Sequence, residues 1–174
     1  RRRNQNGIYY LTGKLFCGHC HSPMVGISGR SKNGPLYYYY SCKGKRYVYK
    51  ILNREVRDPF TEGYALHHRY DIDVEMLNKA AQAYVGTHDF TSFCTLDKRE
   101  KGDFTRTVKS FSVYREGQFV YMTVEADGFL YNMVRILVGT LIEIGLHQRS
   151  PEEIPKLFGG KRENAGYLVP AQGL

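Results

Sequence analysis

One arginine lies inside the longest apolar run of this sequence. Residues 128–145 read GFLYNMVRILVGTLIEIG, which is too long for a strand and has apolar residues on every side of a helix. The run predicts a helix that is packed on all faces at the centre of a fold. A guanidinium at Arg135 is costly there unless a carboxylate meets it or the side chain reaches the surface. Arg135 is therefore the first candidate functional residue.

A second group with chemical potential lies near the start of the chain. Cys17 and Cys20 are two residues apart across a Gly-His pair, and Cys42 follows a run of tyrosines. Thiolates at this spacing can hold one tetrahedral zinc ion. In a cytosolic chain, this pattern indicates metal binding rather than a disulfide. No cysteine or histidine lies shortly after Cys42, and His21 is the near substitute. We therefore expect a weakened or empty zinc site.

Positive charge is concentrated in the first quarter of the chain. The net charge is +8, residues 1–45 hold eight Lys or Arg and no acidic residue, and residues 46–174 hold 17 of each sign. A basic arm rich in Tyr and Gly indicates nucleic acid binding, and its alternative is a solvated tail. The sequence shows neither a signal peptide nor an 18-residue span without charge, so we expect a cytoplasmic protein with no membrane partner.

The order of predicted elements indicates an α+β fold. We expect an antiparallel sheet with helices on one face, preceded by a small hairpin with a turn at 32–34. Residues 87–93 predict a compact loop or a helical turn, and the tail, which ends PAQGL, predicts no closing element. The predicted strands are 36–40, 46–53, 105–114 and 119–126, and the helices other than 128–145 begin after Asp73 and Ser150.

Residues 1–45 resemble the zinc β-ribbon domain of large serine recombinases. The resemblance lies in YLTGKLFCGHCHSPMVG, in the Ser-Lys-Asn-Gly turn and in the tyrosine run that ends in Ser-Cys. It implies a small domain that binds DNA, with zinc held by cysteines. A fourth ligand normally follows the third cysteine in that family. The nucleophilic serine domain of a recombinase is absent from this sequence, so this part is not expected to cut DNA.

Residues 46–174 resemble the C-terminal half of a TruA-type tRNA pseudouridine synthase. The words that carry the resemblance are KRYVYKI, DVEMLNKAAQAYVG, THDFTSF, RTVKSFSV, GFLYNMVRILVGTLIEIG and SPEEI. The resemblance implies conversion of uridine to pseudouridine without a cofactor or metal. It also implies tRNA as the partner, through the anticodon stem-loop region, and a homodimer remains open.

The resemblance assigns roles to particular residues. Tyr47 matches the tyrosine that stacks on the flipped base, and Arg135 matches the arginine that pairs with the catalytic aspartate. Tyr49 follows on the same face of its strand and is a second candidate for substrate contact. His88 and Asp89 either cap a turn or touch the substrate.

The motif that carries the catalytic aspartate, Arg-Thr-Asp-Ala-Gly, occurs nowhere in these 174 residues. We therefore expect a truncated fusion that is inactive alone, with Arg135 either unpaired or paired with Asp89, Glu125 or Glu143. Three hypotheses follow: a synthase half that binds RNA, a DNA-binding ribbon module, and a gene fusion without function.

Overall fold

The chain divides into two compact units, Arg1–Lys45 and Arg46–Leu174. The computed structural model describes residues 11, 14–16, 24–30, 36–42, 46–95 and 102–174. In the first unit, β1 (Met24–Arg30) pairs antiparallel with β2 (Leu36–Cys42), and Met24 lies opposite Cys42. The predicted return strand is confirmed. The predicted turn at 32–34 lies outside the described residues, as do the predicted ligands Cys17, Cys20 and His21.

A five-stranded sheet organises the described residues of the second unit. Its strands are β3 (Arg46–Asn53), β4 (Leu66–His68), β5 (Gly86–Asp89), β6 (Thr105–Glu116) and β7 (Phe119–Ala126). They lie in the order β4-β3-β7-β6-β5, which confirms the α+β prediction. The predicted hairpin of β6 and β7 is also confirmed, and it turns at Gly117, whose φ of 57° favours glycine.

Two details of the sheet differ from the sequence-based prediction. The sheet is mixed rather than antiparallel, because β4 pairs in parallel with β3, with Leu66 opposite Ile51. The segment 87–93, expected as a compact loop or helical turn, begins instead with strand β5, which pairs antiparallel with β6, and the helical turn follows at Thr91–Phe93. Both short strands obtain their hydrogen bonds from partners distant in the sequence, and local residue patterns do not report such pairing.

Three helices of the second unit have recognisable local causes. Helix α1 (Val74–Ala81) begins where predicted, since Asp73 Oδ1 accepts a hydrogen bond of 2.9 Å from the Met76 amide. Helix α2 (Met133–Gly145) is the central helix. Helix α3 (Ile154–Leu157) follows a 3₁₀ turn that begins with the predicted capping box, in which the Ser150 amide donates to Glu153 Oε1 at 3.1 Å.

Helix α2 forms the centre of the core, as predicted, but it begins later than expected. Residues 128–132 form a turn that ends at Asn132, whose φ of 62° lies in the left-handed region. Asparagine tolerates this conformation better than most residues. Each fully buried aliphatic side chain contributes about 1.5–3 kcal/mol of transfer free energy. The buried residues of α2 are Met133, Val134, Ile136, Leu137, Val138, Gly139, Thr140, Leu141, Ile142, Ile144 and Gly145.

Residues 165–174 form a strap that crosses both α2 and β3, although no closing element was expected there. At the helix, the Gly166 amide donates to Thr140 Oγ1 at 2.9 Å, and the Tyr167 amide donates to Glu143 Oε1 at 3.1 Å. A Cβ atom added at Gly139 would lie 1.9 Å from the Tyr167 carbonyl oxygen. Glycine at position 139 therefore permits the close crossing of strap and helix.

Among the residues that the structure describes, no helix is long and apolar enough to cross a membrane. In the same part of the chain, no group of three or more His, Cys, Asp or Glu side chains is placed to hold a metal ion.

Candidate functional site

Tyr47 and Arg135, far apart in the sequence, line the same cleft. Tyr47 lies at the start of β3, and Arg135 lies in the first turn of α2. The cleft has a volume of about 350 Å³ and opens to solvent. The turn before α2 and the end of the strap complete its walls, through Phe129, Leu130, Tyr131, Asn132, Met133, Val134, Ala171 and Leu174.

Aromatic rings dominate one side of the cleft. The Tyr47 side chain is 42% exposed, and its ring meets Phe129 edge to face, with centroids 5.1 Å apart and an angle of 86°. This contact fixes the orientation of Tyr47 and leaves a large part of the ring accessible. Tyr131 is 68% exposed on the same cleft. Such rings can receive an unstacked nucleobase.

Arg135 is held by neutral oxygens. Its Nε donates to the Val169 carbonyl oxygen at 2.6 Å, and its Nη1 donates to Asn132 Oδ1 at 3.0 Å. Within the described ranges, no carboxylate lies within ion-pair distance of Arg135. The guanidinium is therefore oriented without a counter-charge from these residues.

Of the two alternatives for Arg135, the described residues agree with the one without a carboxylate partner, and the three candidate partners are engaged elsewhere. Glu143 Oε2 pairs with Arg149 Nε at 3.0 Å. Glu125 Oε1 lies 3.8 Å from Lys109 Nζ. Asp89 Oδ1 accepts hydrogen bonds from the amide and the hydroxyl of Thr91, at 2.9 and 2.5 Å.

Tyr49 lies on the same face of β3 as Tyr47, as pleat alternation predicts, but deeper. Its side chain is 0% exposed, and its hydroxyl donates to the Pro170 carbonyl oxygen at 2.6 Å. Burial raises the pKa of the phenol, the nearby Tyr167 raises it further, and Arg135 partly offsets this. The structure places Tyr49 beneath the strap, where it supports the cleft; substrate contact by Tyr49 stays a prediction.

His88 and Asp89 lie on the edge strand β5, away from the cleft. Strands β7 and β6 separate β5 from β3, a distance of about 14 Å at ordinary strand spacing. His88 stacks on Phe158 with centroids 4.1 Å apart, and its Nε2 donates to the Val85 carbonyl oxygen at 3.2 Å. The Asp89 carboxylate accepts the amide of Thr91, the first residue of the 3₁₀ turn Thr91–Phe93. The structure does not bring either residue to Tyr47 and Arg135, and substrate contact by either stays a prediction.

Sequence reasoning missed the residues that position the guanidinium. Asn132 could have been noticed in the sequence, because asparagine adopts the left-handed conformation more readily than most residues. Its Nδ2 also donates to Thr95 Oγ1 at 3.1 Å, which ties the start of α2 to the end of the 91–95 turn. Val169 and Pro170 act through backbone carbonyls, so their side chains gave no signal.

Comparison with known proteins shows the family to which the chain belongs. The family model described as tRNA pseudouridine synthase matches residues 80–174. The chain belongs to the tRNA pseudouridine synthase family. A second model, the recombinase zinc beta ribbon domain, matches residues 10–66. That match continues past Lys45 into β3 and β4, which the structure assigns to the five-stranded sheet.

Curated relatives agree with the first match. The chain is 46% identical over 136 residues to tRNA pseudouridine synthase A of Halalkalibacterium halodurans, covering 78% of this chain and 51% of the relative. It is 47% identical over 131 residues to tRNA pseudouridine synthase A of Brevibacillus brevis, covering 75% of this chain and 53% of the relative. The chain therefore spans about half the length of the curated relatives it matches.

Proposed function

We propose that this chain supplies the base-stacking and anion-binding side of an active site that isomerises uridine to pseudouridine in tRNA. The single observation that carries the proposal is the cleft shared by Tyr47 and Arg135. Membership of the family and the printed names of the relatives support it. The anticodon stem-loop region as the part of tRNA engaged, a homodimer as the assembly and the cytoplasm as the location belong to the same proposal.

The chemistry asks three things of the protein: room for the base to rotate, an aromatic platform for it, and an ionised carboxylate. The glycosidic bond between uracil and ribose breaks, the base rotates, and a bond to carbon replaces it, without net oxidation or reduction. A base that leaves its stack needs a platform, and stacking on an aromatic side chain is worth about 1–3 kcal/mol per base. The half-exposed ring of Tyr47 can provide that platform. No cofactor is required for this isomerisation.

Arg135 has the right chemistry for the third requirement, an ionised carboxylate. A guanidinium close to an aspartate lowers the pKa of the carboxyl group and keeps it charged. The Arg-Thr-Asp-Ala-Gly motif is absent from the 174 residues. We therefore infer that the catalytic carboxylate must come from a separate segment that carries this motif and faces the Tyr47–Arg135 cleft.

The purified chain is expected to form no pseudouridine when it is incubated with unmodified tRNA. Adding a separate polypeptide, the N-terminal half of a curated relative with its Arg-Thr-Asp-Ala-Gly motif, is expected to restore product. The measurement is tritium release from tRNA labelled at carbon 5 of uridine, since that hydrogen leaves during the isomerisation. Product formed by the chain alone would refute the claim that it lacks a catalytic group. No product from the combined halves, despite a detected complex, would refute the proposed cleft.

A second candidate function rests on the first unit of the chain. Residues 10–66 match the recombinase zinc beta ribbon, and the first 45 residues hold eight basic and no acidic side chains. We propose duplex DNA as the partner of this unit. Cys17, Cys20 and Cys42 are its candidate zinc ligands, with His21 as the candidate fourth, and we expect the zinc site to be weakened or empty. Zinc content of the purified chain and the salt dependence of duplex affinity test this candidate, because each phosphate contact steepens the salt dependence.

A further inference from the structure

Two side chains of the candidate site bind neighbouring carbonyl groups of the strap. The Tyr49 hydroxyl donates to the Pro170 carbonyl oxygen, and Arg135 Nε donates to the Val169 carbonyl oxygen, both at 2.6 Å. The two carbonyls belong to consecutive residues, so a displacement of one moves the other. Tyr49 and Arg135 are therefore mechanically linked through one peptide segment.

The strap is fixed on the helix side as well as on the sheet side. Thr140 and Glu143 of α2 accept hydrogen bonds from the amides of Gly166 and Tyr167. On the sheet side, a Cβ atom added at Gly173 would lie 2.5 Å from Tyr49 Cε1, so the strap lies directly on the buried ring. The Tyr49 hydroxyl adds a directional bond to this apolar contact.

This arrangement determines which part of Arg135 remains available in the cleft. A guanidinium has five N–H donors, one on Nε and two on each Nη. Nε and Nη1 each donate to a protein oxygen, at Val169 and at Asn132. Three N–H donors remain, two on Nη2 and one on Nη1, so an incoming anion meets the Nη end of the guanidinium, and the paired use of Nε and Nη2 is blocked. Bidentate binding of a carboxylate or phosphate depends on such a fixed edge.

We propose that Tyr49 is a positioning residue for Arg135: through Pro170 and Val169 it holds the guanidinium so that its Nη edge receives a carboxylate or phosphate oxygen in the cleft. The identity of that anion rests on the proposed function, whereas the link between Tyr49 and Arg135 does not. Tyr49 is buried and hydrogen-bonded to the strap, and this role does not require it to touch the substrate.

The test replaces Tyr49 with Phe in the full chain, which removes one hydroxyl and keeps the ring. The Arg135 ¹⁵Nε–H resonance, identified by its loss in Arg135→Lys, reports on the bond to Val169. Loss of one hydrogen bond in the link is expected to speed exchange of this proton with water about threefold to tenfold. The dissociation constant for acetate, followed by the same resonance, is expected to rise by a similar factor. Inorganic phosphate serves as the second probe.

Tyr167→Phe is the matched control, since it also removes a phenol hydroxyl from the neighbourhood of the strap. Tyr167 bonds through its backbone amide, and its hydroxyl has no hydrogen bond to the residues described in the structure. This variant is expected to leave the exchange rate and the acetate affinity unchanged. Thr140→Val, which removes the acceptor of the Gly166 amide, is a second way to loosen the strap and is expected to speed exchange as well.

A purely structural role for Tyr49 predicts a different result. Tyr49→Phe would then lower the melting temperature while the Arg135 Nε exchange rate stayed within twofold of the wild type, and this outcome would overturn the proposal. Equal changes in Tyr49→Phe and Tyr167→Phe would overturn it too. If the combined halves form no pseudouridine despite a detected complex, but Tyr49→Phe speeds exchange at Arg135 Nε, the proposed function fails and the positioning role stands.

Discussion

Replacing Gly139 with Ala is expected to lower the free energy of unfolding by about 3 kcal/mol, the upper part of the usual range for overpacked sites. The added Cβ would lie 1.9 Å from the Tyr167 carbonyl oxygen and 3.0 Å from its carbonyl carbon. These are backbone atoms, so no side-chain rotation can relieve the overlap. The strap or the helix must move.

The opposing effect is smaller. Alanine in a helix interior is favoured over glycine by about 1 kcal/mol, and that gain cannot offset a displaced backbone crossing. The displacement would also weaken the neighbouring hydrogen bonds of the strap, from the Gly166 amide to Thr140 and from Arg135 to the Val169 carbonyl oxygen. We therefore expect Gly139→Ala to weaken anion binding at Arg135 as well as stability.

Urea unfolding, followed by circular dichroism, measures the decrease in the free energy of unfolding of Gly139→Ala. Gly102→Ala is the matched control, because a Cβ atom at Gly102 would meet no atom of the described residues within 4 Å. Its effect is expected to stay within about 0.5 kcal/mol, as for ordinary surface substitutions. Equal unfolding midpoints for the two variants would show that the strap does not cross α2 as closely as the structure indicates.

Elements with local causes were predictable from the sequence. The Asp73 cap fixed the start of α1, and the Glu116-Gly117 pair fixed the turn between β6 and β7. The apolar run fixed α2 as the core helix, although the left-handed Asn132 delays its start to Met133. In each case the signal lies within a few residues of the structure that it predicts.

Features that depend on distant partners were not predictable. Strand β5 exists because β6 offers hydrogen bonds to residues 86–89, and the parallel pairing of β4 depends on β3. The strap has no periodicity of its own, and backbone contacts with α2 and with Tyr49 hold it in place. No reading of ten consecutive residues contains that information.

The candidate site shows the same division. The type of Arg135 and its apolar surroundings indicated that something must satisfy its donors. They did not distinguish a carboxylate from a neutral oxygen. Among the described residues, the Val169 carbonyl oxygen and the side-chain oxygen of Asn132 accept the hydrogen bonds of Arg135. Two neutral acceptors orient a guanidinium and leave its charge uncompensated. That uncompensated charge is what makes an incoming anion a reasonable partner.

Arg135→Lys is expected to have the largest effect on the reconstituted reaction, in which the complementing half supplies the aspartate. Lysine keeps the positive charge, but it cannot donate in the fixed planar geometry that Arg135 uses toward Val169 and Asn132. Loss of one preorganised charged donor commonly lowers kcat about 100-fold to 1,000-fold. We expect kcat for tritium release to fall by that factor, with a smaller change in KM.

Arg106→Lys provides the matched control for this prediction. Arg106 also donates to backbone carbonyls, those of Asp103 and Thr105, at 2.9 and 2.6 Å, but it lies at the start of β6 and does not line the cleft. Its replacement is expected to leave kcat within about threefold of the wild type, as for a variant that loses one exposed hydrogen bond. If both lysine variants lowered kcat equally, the decrease would reflect general destabilisation. If Arg135→Lys retained full activity, the guanidinium would have no part in holding the catalytic carboxylate, and the cleft would need another cation for that role.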